Sequence, residues 1–87
     1  MAGYKVSLAR SARKQLFALD PAVAQRIVSR LEALAENPRP PGCVRLQGAR
    51  HLWRVRVGDY RIVYEIDEST RMVDVSIIRH RRDAYRL

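Results

Sequence analysis

Leu52-Trp53-Arg54-Val55-Arg56-Val57-Gly58-Asp59-Tyr60-Arg61-Ile62-Val63-Tyr64 places two alternating runs on either side of a Gly-Asp pair. Period-two alternation marks a strand with one buried face, and a two-residue loop opening on glycine suits the primed turn of a β-hairpin. Strands over 52–57 and 60–66 should therefore pair with Val57 opposite Tyr60, Val55 opposite Ile62 and Trp53 opposite Tyr64. These six side chains are all apolar or aromatic and share the face that a helical layer should cover. The other face receives Arg56 opposite Arg61, and Arg54 opposite Val63. Like charges directly opposed in a ladder cost from a few tenths to about 1 kcal/mol. Either Glu65 and Asp74 neutralise this cluster from the same face, or its guanidinium groups converge on an anion such as a phosphate.

The same alternation predicts a third strand over 72–78, reached through a loop at 67–71. Upstream, Tyr4, Val6 and Leu8 alternate with Lys5 and Ser7 in a short first strand. The period then becomes helical: Ala12, Leu16 and Leu19 line one side of a first helix. Asp20-Pro21 reads as an N-cap followed by proline at the first helical position. The second helix carries Val23, Ile27, Leu31 and Leu34 on one stripe, and Asn37-Pro38 ends it. Pro38, Pro40, Pro41 and Gly42 form a stiff connector too short to link two domains. The predicted architecture is a single α+β domain over 1–87, in strand–helix–helix–three-strand order, with an antiparallel sheet packed against a two-helix pair.

Eighty-seven residues leave room for one modest core. Seventeen basic residues against nine acidic ones give a net charge of +8, and all the basic residues except Lys5 and Lys14 are arginines. The arginine fork stays protonated and matches phosphate in two-pronged fashion, so this bias suggests a polyanionic partner. One cysteine, Cys43, excludes an internal disulfide and fits a reducing cytoplasm, with Cys43 a small packing residue. His51, His80 and Cys43 lack ligand spacing, so neither a metal nor another cofactor is expected. His51 reads as structural. No apolar run approaches the length of a membrane span.

After the third strand the chain runs Arg79-His80-Arg81-Arg82-Asp83-Ala84-Tyr85-Arg86. Leaving the strand end, His80 and Tyr85 are placed to fold over the rim of the arginine face. With the 52–64 segment and the order of elements, the ending His80-Arg81-Arg82-Asp83-Ala84-Tyr85 resembles the RelE/ParE superfamily of bacterial toxins. The resemblance covers nearly the whole chain, from Tyr4 to Tyr85. It implies a ribosome-dependent endoribonuclease that cleaves messenger RNA, the toxin of a type II toxin–antitoxin pair, held inactive in the cytoplasm by a cognate antitoxin. It also implies catalytic residues at Arg54, Arg56, Arg61, His80 and Tyr85, with Arg45, Arg50, Arg79, Arg81 and Arg82 contacting RNA. Two positions depart from the family pattern. The basic pair on the first central strand is often lysine, and the C-terminal basic residue is often arginine where His80 aligns.

The implied reaction is metal-free attack of a ribose 2′-hydroxyl on the adjacent phosphate. Arginines are poor bases and serve as electrostatic clamps, whereas His80 has the intrinsic pKa for proton transfer. Tyr85 could orient the hydroxyl or stack on a base. Two other classes compete: a ParE-like toxin that inhibits DNA gyrase without cutting RNA, and a nucleic-acid-binding module without activity. Whichever applies, the cations Arg10, Arg13, Lys14, Arg26 and Arg30 on the helical pair offer a basic surface to an acidic antitoxin segment.

Overall fold

The computed structural model describes residues 3–48 and 51–80, so Arg50, Arg81, Arg82 and Tyr85 lie outside the described residues. Its elements in order are β1 (Lys5–Leu8), α1 (Arg10–Phe17), α2 (Pro21–Glu36), β2 (Val44–Arg45), β3 (Leu52–Val57), β4 (Tyr60–Asp67) and β5 (Met72–His80). Helix α2 starts where Asp20 accepts a hydrogen bond from the Ala22 backbone N–H at 2.9 Å, with Pro21 in the first turn. It stops at Asn37, whose extended φ of −144° precedes Pro38. Ala12 and Leu16 of α1 and Ile27, Leu31 and Leu34 of α2 are buried against one face of the sheet, meeting Val55, Ile62, Tyr64, Ile66, Val73, Val75 and Ile78. Among the described residues, no helix is long and apolar enough to cross a membrane.

The sheet order is β1-β5-β4-β3-β2. The central hairpin has the expected register, with Val57 against Tyr60, Arg56 against Arg61 and Trp53 against Tyr64. Gly58 sits at φ 59°, the left-handed conformation that the first position of such a turn demands. The α+β layers are as the sequence predicts, but both sheet edges differ from a purely antiparallel arrangement. β1 runs parallel to β5, setting Val6 beside Val73 and Leu8 beside Val75. A four-residue strand shows its buried face but says nothing about which neighbour it joins. The connector also contributes a strand, because β2 pairs Val44 with Arg54 and Arg45 with Trp53.

A bulge in β5 decides which side chains reach which face. Val63 pairs with Ile77 but Tyr64 pairs with Val75, leaving Ser76 as the extra residue. Its hydroxyl donates to the Val63 carbonyl at 3.3 Å, and its own carbonyl accepts from Ser11 of α1 at 3.2 Å. The inward positions of β5 thereby shift from odd (Val73, Val75) to even (Ile78, His80). The strand also runs two residues past the predicted Ile78 and ends at His80.

Tyr64 ties the connector to the core. It is fully buried, and its hydroxyl donates to the Pro38 carbonyl at 2.6 Å. Burial pushes the Tyr64 phenol well above the ordinary tyrosine range, and the neighbouring Cys43 adds to the shift. Cys43 is half-buried and packs on the core as expected, while His51 is exposed. At the same end of the sheet, Glu68 pairs with Arg39 at 2.8 Å and accepts from the Tyr4 hydroxyl at 2.8 Å. The Tyr4 hydroxyl bond and Arg39 together hold the Glu68 carboxyl below its usual range. Arg39 lies over the Trp53 ring at 5.2 Å, and Arg71 over Tyr4 at 5.6 Å. These contacts fasten the end of the sheet remote from the Gly58 turn.

Candidate nucleic-acid interface

The face turned away from the helices is organised in rows across the strands. Nearest the hairpin turn, Arg56 of β3 pairs with Arg61 of β4, which pairs with Arg79 of β5. Cross-strand neighbours in such a row have Cβ atoms about 4.5–5.5 Å apart, within reach of one phosphate for side chains as long as arginine. The next row is Arg54, Val63 and Ile77, a cation beside two half-buried apolar side chains. The third holds Leu52, Glu65 and Asp74, with the Ser7 hydroxyl donating to Asp74. Glu65 is four residues from Arg61 along β4, roughly 13 Å of strand. The register thus sets both carboxylates two rows from the arginine triplet, too far to neutralise it directly.

Of the residues singled out in the sequence, the structure brings Arg54, Arg56, Arg61 and Arg79 onto this one face. Arg45 is exposed on β2 opposite Trp53, on the other side of the sheet. His80 differs from expectation. It pairs with Tyr60 and meets that ring edge-on, with centroids 5.2 Å apart at 89°, so it belongs to the helix-side face. The Ser76 bulge is the cause: it turns His80 inward and brings Arg79 out beside Arg61. Arg50, Arg81, Arg82 and Tyr85 are outside the described residues.

One participant escaped the sequence reading. Arg30 of α2 reaches across to the edge of β3, where its guanidinium approaches the Arg56 carbonyl at 3.5 Å. β2 covers β3 only at Trp53 and Arg54, so the rest of that edge is open. There Arg30, Pro41, Gly42, Val44, Arg54, Val55 and Arg56 line a groove of about 380 Å³. No local pattern marks Arg30, because its position depends on how α2 crosses the sheet.

The family described as the ParE toxin of the type II toxin–antitoxin system, parDE, matches residues 6–85, spanning the hairpin and the arginine row. The chain belongs to this toxin family. Within the wider RelE/ParE superfamily, the toxin is 28% identical over 86 residues to a toxin of Methanocaldococcus jannaschii named RelE1, covering 95% of this chain and 96% of the relative. A RelE-like toxin protein of Escherichia coli is 27% identical over 88 residues, with 97% and 92% covered. Among solved structures, the archaeal RelE–RelB complex from Pyrococcus horikoshii superimposes with a TM-score of 0.81 at 25% identity, covering 91% of the toxin and 96% of the matched chain. The toxin therefore shares the RelE-like fold as well as the family's sequence pattern.

Proposed function

We propose that the toxin is a ribosome-dependent, metal-independent endoribonuclease that cleaves messenger RNA in the cytoplasm. The observation that supports this best is the triplet Arg56–Arg61–Arg79, reinforced by Arg54, on a sheet face that none of the described elements covers. A phosphorane carries an extra negative charge, and preorganised guanidinium donors stabilise it more than they stabilise the starting diester. In the proposed step the 2′-oxygen bonds to phosphorus and the P–O5′ bond breaks. The 2′-hydroxyl gives up its proton and the departing 5′-oxygen gains one, leaving a 2′,3′-cyclic phosphate and a 5′-hydroxyl. Val63 and Ile77 offer an apolar floor for a base beside the clamp. His80 and Tyr85 are the proton-transfer candidates, with His80 approaching from the end of β5 and not from across the arginine face. Arg45, Arg50, Arg81 and Arg82 would contribute further RNA contacts.

A clamp rich in arginine and poor in bases depends on the substrate arriving in an in-line geometry, which a ribosome can impose. Primer extension on a translated message should therefore show cuts inside codons, while naked RNA at the same toxin concentration stays nearly intact. The name of the matching family supports a second reading, inhibition of DNA gyrase. A supercoiling assay run in parallel separates the two: inhibited gyrase with an uncut message would establish that reading and exclude the nuclease.

The groove beside β3 suits the cognate antitoxin. An extended acidic segment could continue the ladder along the open strand edge while its carboxylates meet Arg30, Arg54 and Arg56. Affinity for the antitoxin should fall as salt rises, with apolar contacts to Val44 and Pro41 limiting the loss. Titration calorimetry of the purified pair at low and high salt measures this, and equal affinity at both would remove the electrostatic part of the idea.

A further inference from the structure

Helix α1 carries a second cationic surface on the opposite side of the molecule from the arginine row. Ala12 and Leu16 are buried, while Arg10, Arg13, Lys14 and Phe17 are all exposed. Positions i, i+3, i+4 and i+7 fall on one stripe of a helix, so these four side chains form a single outward face. Phe17 is 79% exposed at the end of that stripe. The helix, Arg-Ser-Ala-Arg-Lys-Gln-Leu-Phe, contains no acidic residue.

Helix stability does not account for this arrangement. Arg10 and Lys14 are like charges four residues apart, which destabilises an isolated helix. Arg10 also stands in the first turn, where the helix dipole disfavours a cation. A large aromatic left in water gains nothing from folding. Each cost is small, yet all three fall on the same outward stripe.

We propose that Arg10, Arg13, Lys14 and Phe17 form a second RNA-contact surface, in which the cations hold the phosphate backbone of a structured RNA and Phe17 stacks on an unpaired base. Phosphate neutralisation combined with aromatic stacking is how proteins hold nucleic acid without reading its sequence. An acidic protein partner fits less well. A protein interface concentrates its energy in a central group of apolar anchors, and this stripe offers only Phe17, at one end. A second copy of the chain would bring like charges together. The proposal rests on the RNA-directed reading above and explains how so small a toxin could be anchored: RNA against α1 holds the domain while the sheet face works on another segment.

The test reads binding without cleavage. A fluorescein-labelled RNA hairpin with an unpaired loop, 2′-O-methylated so that it cannot be cut, is titrated with the full chain and followed by fluorescence anisotropy over a range of salt. The triple variant Arg10→Ala/Arg13→Ala/Lys14→Ala should bind about tenfold more weakly near 0.1 M salt, and its salt dependence should flatten by about two to three phosphate equivalents. Phe17→Ala should lose roughly tenfold for the looped hairpin and little for a fully paired duplex. Lys5→Ala/Arg71→Ala, which removes two charges elsewhere, should lose far less than the α1 triple. All four altered residues lie on the surface of α1, so the melting temperatures of these variants should stay near wild type.

Wild-type affinity in the triple variant at every salt would overturn the proposal, as would a failure of the wild-type chain to bind the hairpin. So would displacement by poly-L-glutamate as efficient as displacement by RNA of equal charge, since α1 would then be a surface for acidic protein. Failure of the nuclease reading looks different: the wild-type toxin leaves a translated message uncut, whatever the α1 variants do to hairpin binding.

Discussion

Replacing Arg61 with alanine is expected to lower ribosome-dependent cleavage by roughly 30- to 1,000-fold, about 2–4 kcal/mol of barrier, with the fold intact. Arg61 is the middle member of the Arg56–Arg61–Arg79 row, so its loss opens a gap at the centre of the clamp. The folded state loses a side chain opposed on both sides by like charge, and stability should hold or rise slightly. Arg61→Lys keeps the charge but loses the planar fork, so it should recover part of the rate. Cleavage of a translated message and melting temperature, measured on the same preparations, separate the two effects. An early-melting Arg61→Ala protein, or one with full activity, would remove the arginine row from the reaction.

The hairpin was legible because two constraints agree in it. Gly58-Asp59 sets the turn, and the alternation from Leu52 to Tyr64 sets the faces, so register and exposure follow from one segment. Helix α2 was equally plain, because Asp20, Pro21 and Pro38 mark its ends in the chain itself. The features that were hidden arise from contacts between distant segments. The parallel pairing of β1 with β5 and the reach of Arg30 to the Arg56 carbonyl have no local signature.

His80 is the instructive case. Strict period two from Val73 places Ile77 and Arg79 inward and His80 outward, which is how His80 comes to be expected over the arginine rim. One extra residue, Ser76, reverses that assignment for everything after it. The adjacent pair Ile77-Ile78, which strict alternation cannot bury on one face, was the trace of the bulge in the sequence. The same slip promotes Arg79 from a tail contact to a member of the central row, so the sheet face becomes more arginine-rich than the hairpin alone suggested.

Tyr64→Ala should be the most destabilising of these substitutions, and it should act through the fold. Tyr64 is the largest of the fully buried side chains, and truncating an aromatic of that size costs about 3–5 kcal/mol. It also strands the Pro38 carbonyl, the acceptor at 2.6 Å that pins the connector to the core. A chain of this length has roughly 4–13 kcal/mol to lose at ~0.05–0.15 kcal/mol per residue. Tyr64→Phe separates the two contributions: it keeps the ring and leaves only the buried acceptor unsatisfied, for about 1–3 kcal/mol. The phenol adds a dependence on pH with a definite sign. Burial raises its pKa in the folded chain, so its contribution is whole below the ordinary tyrosine range and declines as pH climbs past about 10. Tyr64→Phe lacks an ionisable hydroxyl and should not share that part of the alkaline decline. Guanidinium unfolding of the three proteins at neutral and alkaline pH measures each contribution. If Tyr64→Ala instead melts normally and loses only cleavage, then Tyr64 belongs to the working face, and the division of this sheet into a buried side and an arginine side is wrong.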